Sequence, residues 1–419
     1  MRWADVPLQS PGMDLIIFAT PFFSENAQRF LGVFADLPVR LAVISQDPQE
    51  ILPAALRERF VGHWRVADAL SPSQVTWAVS ELSRQHGRVR RLIAASEQMQ
   101  DAVAAAREKL GIEGMRPETT RNFRDKARMK YLFRQAGVPC AKYQCVVAED
   151  EATRFAEATG YPLIIKPLDG AASQATFKID NASMLRDVVR ASGPSVANPL
   201  QLEEFVTGEE HSFETVSIQG QPVWHSLTRY LPTPLDAMRN PWIQWRVILP
   251  REIDTPQYDD IRAVGPQALR ALGMGSGLTH MEWFRRQDGS LAISEVAARP
   301  PGAQIVTLMS RAHDFDMYEA WARLMVFDEF TPPPARKYAA GAAFLRGLGA
   351  GRVRATHGLD AVLAELGDLV TDVGRPTLGQ EQSRSYEGEG YVVVRHPDTR
   401  VVEEALLKIV SGVRVELVA

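Results

Sequence analysis

Short apolar runs alternate with polar, helix-periodic stretches at the start of this chain. Met13 to Ala19 reads as a buried strand, Ser24 to about Ala35 as a helix, and Val39 to Ile44 as a second strand. Ser71-Pro72-Ser73 predicts a helix start, with serine as cap and proline at the first helical position. Arg91 to Ala95 predicts a further short strand. Strand and helix in alternation imply an α/β part whose parallel sheet carries helices on its faces. It ends near residue 115 and has no G-x-G-x-x-G after its first strand, so the dinucleotide fingerprint is absent. Beyond a Pro332-Pro333-Pro334 linker lies a third part, residues 336–419. Strands are expected there at Ala339 to Leu345, Tyr391 to Arg395 and Val413 to Val418, with helices at Leu359 to Leu366 and Val401 to Val410. No internal repeat or low-complexity tract interrupts this order.

The middle part, residues 116–335, holds the candidate chemistry. Asn122-Phe123-Arg124-Asp125 predicts the cap of a helix running to about Ala136, stopped by Gly137 and Pro139. Its cations suit a solvated face. Further on, a β-prone strand ends in Lys166-Pro167 and runs into Asp169-Gly170-Ala171-Ala172-Ser173-Gln174-Ala175. Small residues let backbone N–H groups approach phosphate oxygens, and the ammonium adds a point charge. A lysine snorkelling from a strand end gives the same pattern. Leu202-Glu203-Glu204-Phe205-Val206 and Glu210 follow. An apolar strand edge with a flanking acid can hold an adenine, and a second acid can hold ribose hydroxyls.

The most telling stretch is His280 to Glu295. Asp288-Gly289 between β-prone flanks is a strong hairpin signal. With those two as the turn, Gln287 faces Ser290, and counting outward sets Glu282 opposite Glu295. Directly opposed side chains have Cβ atoms about 5 Å apart, where like charges repel. A hard divalent cation is the natural neutraliser. The alternatives are two glutamates on a solvated edge, or a slipped register. His280 shares the face of Glu282, where it contacts substrate or is satisfied within the strand. Trp283-Phe284 suits the core. His225 suits a structural role, and His211 the lining of the nucleotide hinge. The Trp/Pro-rich segment from Tyr230 to Arg246 fits a lid, a substrate wall or a packed excursion.

Bulk composition changes this picture little. At 419 residues, two or three domains are expected. A formal charge of −4 excludes bulk attraction to nucleic acid or to an anionic membrane. The apolar run Leu15 to Ala19 is too short for a signal peptide and no stretch reaches a membrane span, so a cytoplasmic location is expected. Cys140 and Cys145 are expected to be free thiols.

The ordered set resembles the ATP-grasp superfamily over about residues 116–335, and leans toward the bacilysin-type L-amino acid ligases through His280-Met281-Glu282 and Arg299-Pro300-Pro301-Gly302. The resemblance implies an ATP-grasp fold of mixed α/β (α+β) class. It implies a Rossmann-like preceding domain at 1–115, a mobile small lobe at about 145–205, and a small C-terminal α+β domain at 336–419. Lys126, in Asp125-Lys126-Ala127-Arg128-Met129, and Lys166 match the two ATP lysines, and Ser173 lies in the phosphate loop. Glu203, Glu204 and Val206 match the adenine hinge, and Glu210 the ribose-binding acid. Glu282 and Glu295 match the metal ligands, and Arg299 the arginine beside the transferred phosphate. The catalytic pair implied is Arg299 and Lys166, with His280 and Gly302 toward substrate. ATP and Mg²⁺ (or Mn²⁺) are implied as cofactors, and small carboxylate and amine partners, amino acids among them, as substrates. A homodimer is usual in similar ligases.

Two departures stand out. Ala297 occupies the position where the family places an asparagine ligand, and Ala171 and Ala172 replace glycines common in the loop. The implied reaction is ATP-dependent carboxylate–amine ligation through an acyl phosphate. The alternatives are a biotin carboxylase-like or purine-pathway enzyme, and a catalytically silent nucleotide-binding regulatory protein.

Overall fold

The computed structural model describes residues 13–167 and 177–419, the side chains of residues 166 and 167 excepted. The first part contains four parallel strands in the order Phe60–Arg65, Arg40–Ser45, Leu15–Ala19, Val89–Ile93. Leu15–Ala19 is buried at every position, as the unbroken apolar run requires of a strand covered on both faces. Phe30, Leu31 and Phe34 of the Glu25–Asp36 helix cover one face. Helices Pro72–His86 and Gln100–Leu110 cover the other. Ser24 caps its helix through the Ala27 N–H at 3.3 Å, and Ser71 caps the next with Pro72 in the first turn.

A four-stranded antiparallel sheet follows: Tyr143–Val146, Leu200–Glu204, Leu163–Pro167, Phe177–Ile179. Helices Glu149–Thr159 and Ala182–Ser192 pack on it around a small core of its own that includes Val146, Leu163, Ile165, Leu185 and Leu202. It occupies the stretch at about 145–205 where the resemblance implies a small lobe. Its loop at 169–175, with Ser173, lies outside the described residues.

The largest element is an eight-stranded antiparallel sheet. Its order is Leu291–Ala297, Gly277–Arg286, Gly208–Ile218, Gln221–Leu231, Arg246–Leu249, Ala339–Leu345, Gly390–His396, Val370–Gly374. Strands from both sides of residue 335 therefore share one sheet, joined where Arg246–Leu249 pairs with Ala339–Leu345. Ala339–Leu345 is fully buried because that junction packs on both faces.

Two local differences from the sequence pattern have clear causes. The helix expected after the cap at residues 122–125 occurs as Lys126–Gln135, but a second helix, Pro117–Arg124, precedes it. Asp125, in extended conformation, ends the first and caps the second through the Arg128 N–H at 3.0 Å. Pro117–Arg124 is polar almost throughout and has no broad apolar stripe to announce it. Within the Trp/Pro-rich segment, residues Pro234–Arg239 form a short helix. Trp245 is buried against Phe344 and Tyr386, whereas Trp242 is exposed.

Candidate functional site

The hairpin of strands Gly277–Arg286 and Leu291–Ala297 does set Glu282 opposite Glu295. It reaches that register by two offsets that cancel. The loop is three residues long, not two, because Arg286 N–H donates to Ser290 O at 2.8 Å and Gly289 N–H to Arg286 O at 3.0 Å. A bulge between Glu282 and Trp283, absorbing Ser294, restores the count.

Strand alternation then sorts two chemistries onto two faces. His280 pairs with Glu214 and Ala297 across its neighbours, and Glu282 with Ser212 and Glu295. On the opposite face His211 stacks on Trp283 with centroids 4.5 Å apart, and Phe213 on His225 at 5.2 Å. Burial pushes the His211 imidazole down to about 3, with Arg229 and Arg285 adding to it. It is a neutral core ring behind the sheet.

The polar face is a connected network. Lys126 Nζ lies 2.9 Å from Glu295 Oε2. His280 Nδ1 lies 2.8 Å from Glu214 Oε1, and its Nε2 lies 3.3 Å from the Tyr230 hydroxyl and 3.7 Å from Glu282 Oε1. The Glu214 carboxylate also accepts from Ser212 Oγ at 2.5 Å and Thr228 Oγ1 at 3.1 Å. Burial opposes protonation of His280, but its bonds to Glu214 and Glu282 outweigh this and raise it to about 9. Burial opposes ionisation of Glu282, yet His280 first, then Lys126 and Arg299, hold its carboxyl below the ordinary value. Arg299 Nε donates to Glu97 Oε2 at 3.1 Å, and Glu97 also binds Arg124 at 2.9 Å. The arginine is thus anchored to the first part of the chain while its field reaches the Glu282 carboxylate.

At the expected hinge, Glu203 is buried against Lys130 Nζ at 2.8 Å and accepts from the Gln201 amide. Glu204 pairs with Arg286. Val206 follows the strand end, half-buried, and Glu210 is buried at the start of Gly208–Ile218. Lys166 occupies the strand Leu163–Pro167 opposite Gln201. Gly302 lies against Glu387, whose Oε1 accepts from the Ala303 N–H at 3.1 Å. The fold therefore brings Lys126, His280, Glu282 and Glu295 together, within the field of Arg299.

Glu214 and Glu387 had no part in the sequence expectations. A lone acid inside Ser212-Phe213-Glu214-Thr215-Val216 was the available signal for the first. The second lies in a polar stretch that reads as a surface loop.

Two opposed carboxylates, Glu295 answered by the Lys126 ammonium and Glu282 by the His280 ring, fit a hard cation completed by oxygens from a bound molecule. Among the described residues no cluster of three or more His, Cys, Asp or Glu side chains forms a metal cage, so such a cation needs outside ligands.

Residues 131–314 match the family model of the ATP-grasp domain, and the chain has the ATP-grasp fold. It superposes on the crystal structure of an L-amino acid ligase from Bacillus licheniformis with a TM-score of 0.77 at 17% identity, covering 97% of this chain and 99% of that one. In sequence it is 26% identical over 222 residues to an L-arginine-specific L-amino acid ligase of Bacillus subtilis, covering 52% of this chain and 53% of that protein. It is 27% identical over 187 residues to a D-alanine–D-alanine ligase of Geobacillus thermodenitrificans, covering 42% and 50%. The chain spans about half the length of the curated relatives it matches. No helix among the described residues is long and apolar enough to cross a membrane.

Proposed function

We propose that this protein is an ATP-dependent carboxylate–amine ligase that acts on amino acids, releasing ADP and phosphate. The observation that carries this reading is the Glu282–Glu295 opposition with Lys126 lying against Glu295. It is a charge arrangement suited to a polyphosphate and its cation, and it sits in a fold shared with ligases. Glu282 and Glu295 would hold Mg²⁺, which when bound would neutralise phosphate charge. Lys126 and Lys166 supply the remaining positive charge at the phosphates. Glu203 to Val206 and Glu210 take adenine and ribose, and Ser173 belongs with the phosphate loop.

The substrate carboxylate oxygen attacks the γ-phosphorus as the bond to the β-phosphate bridging oxygen breaks, giving an acyl phosphate and ADP. The amine nitrogen then attacks the acyl carbon, loses a proton, and phosphate leaves. Arg299 stabilises anionic charge in both steps, held in place by Glu97. The small lobe at about 145–205 excludes water from the acyl phosphate. His280, held by Glu214 at its other ring nitrogen, positions Glu282. The substrates are small molecules rather than nucleic acids or membranes, and the active form is a cytoplasmic homodimer.

ADP release coupled to a screen of amino-acid pairs tests the proposal. The native protein should respond to at least one pair. Arg299→Ala should bind ATP nearly as well, yet turn over about 10²–10³-fold more slowly. Absence of stimulation by every pair, with Arg299→Ala indistinguishable from native, would leave only a silent nucleotide-binding protein.

A further inference from the structure

The loop after Arg299 carries an unusual pair of backbone conformations. Ala303 and Gln304 are consecutive non-glycine residues at φ 51° and 57°. Such strain persists only where the surroundings enforce it, and it concentrates at binding sites. Here it aims the Ala303 N–H at Glu387 Oε1, 3.1 Å away. Gly302 completes the approach, since a Cβ there would stand 3.4 Å from the same oxygen.

The neighbouring cations are already engaged. Arg299 binds Glu97. Arg29, on the other side of the loop, binds Glu25 at 2.7 Å and the Tyr391 hydroxyl at 2.8 Å. No ion pair to Glu387 forms among the described residues. Its carboxyl lies against the backbone of Gly302 and Ala303, three and four residues beyond Arg299. Tyr386, the preceding residue, packs on Trp245 at 4.4 Å and feels the charges of Glu387, Glu282 and Arg299. Burial raises the Glu387 carboxyl, against the Ala303 hydrogen bond and Arg299. A carboxylate half-removed from water without a counter-ion is costly unless a ligand supplies the charge.

The chemistry of that ligand follows from the free valences. One oxygen is taken by a backbone N–H, which leaves the other as a single-point acceptor. A guanidinium prefers both oxygens in a fork, and a metal ion needs several more ligands. A compact ammonium needs one strong acceptor. We propose that Glu387 determines substrate specificity by receiving the α-ammonium group of the amino acid whose carboxylate is activated beside Arg299, a role that rests on the ligase reading above.

The experiment compares L-amino acids with their des-amino counterparts, alanine against propionate and leucine against 4-methylpentanoate. The readout is ADP release by the native protein and by Glu387→Gln, with the same amino-acid amide present throughout as the common amine acceptor, so that only the activated carboxylate differs. Amino acids should stimulate the native protein at least about 10²-fold better than the des-amino acids, because the carboxylate is otherwise left unpaired. Glu387→Gln should raise KM for the amino acid about 10–100-fold, the worth of one charged hydrogen bond, with ADP affinity by calorimetry confirming the fold. If Glu387→Gln does not fold, Glu387→Asp takes its place: it keeps the charge, shortens the reach, and should also raise KM. An unchanged KM in the folded variant, or equal use of des-amino acids by the native protein, overturns the assignment and leaves the ligase reading standing. If no carboxylate of either kind stimulates ADP release, the ligase reading itself fails and takes the assignment with it.

Discussion

Glu214 is a fully buried acid flanked on its strand by Phe213 and Thr215, and it is saturated by His280, Ser212 and Thr228. Removing it takes away the first of the two carboxylates that hold the His280 proton against burial and leaves only Glu282, 3.7 Å away. Glu214→Ala should therefore cost about 3–5 kcal/mol, the scale of breaking a buried ion pair from one side. Glu214→Gln, which keeps the shape and the hydroxyl bonds, should cost clearly less. Urea midpoints separate the two. An alanine variant within about 0.5 kcal/mol of native would show the network to be incidental. At this scale the sequence was legible where chemistry follows from neighbours along one strand, as with His280 and Glu282. It was not legible for Glu387, whose meaning depends on a loop some eighty residues earlier. For Glu203, no local signal announced that its carboxylate meets Lys130 across elements.

At the scale of elements, the hairpin shows how a correct pairing can rest on a wrong count. The Asp-Gly signal located the turn, but the pairing energy also admits a three-residue loop with Gly289 at φ 81°. The bulge at Ser294 then returns Glu295 to its place opposite Glu282. Sequence periodicity cannot see a bulge, because one extra residue merely looks like a fault in alternation. The same strands offer a graded test of backbone constraint. Gly289→Ala meets no atom within 4 Å and should cost only about 1 kcal/mol, the conformational term alone. A Cβ at Gly208, φ 149°, would lie 2.0 Å from the Arg285 carbonyl oxygen, so Gly208→Ala should cost distinctly more and loosen the pairing of Glu209 with Arg285. Thermal unfolding of both variants checks the order, and equal losses would refute it.

For the whole molecule, strand-and-helix alternation was enough to anticipate the parallel sheet of the first part, because its two central strands are apolar runs, whereas the edge strand Phe60–Arg65, broken by Gly62 and His63, gave no such signal. The eight-stranded sheet was harder to foresee. The Pro332-Pro333-Pro334 stretch reads as a boundary, yet strands before and after it are hydrogen-bonded neighbours. Their union depends on contacts between residues such as Trp245 and Phe344, about a hundred positions apart, which no local window contains.

The Lys126–Glu295 ion pair links the two charges that a magnesium–nucleotide complex would separate. Without ligand, lysine and glutamate satisfy each other. A phosphate that takes the lysine frees the glutamate, and a cation that takes the glutamate frees the lysine. Each ligand thus removes the competitor of the other, and thermodynamic reciprocity requires the two affinities to rise by the same factor. Calorimetry should find ATP affinity increased by Mg²⁺, and Mg²⁺ affinity increased equally by ATP. In Lys126→Met the glutamate has no lysine to give up, so the part of the coupling that runs through this pair should vanish. Coupling that survives the substitution at full strength would assign it to direct contact between metal and nucleotide alone. Without ligands the pair is a latch closed on itself, one that neither ligand would open as well alone as the two together.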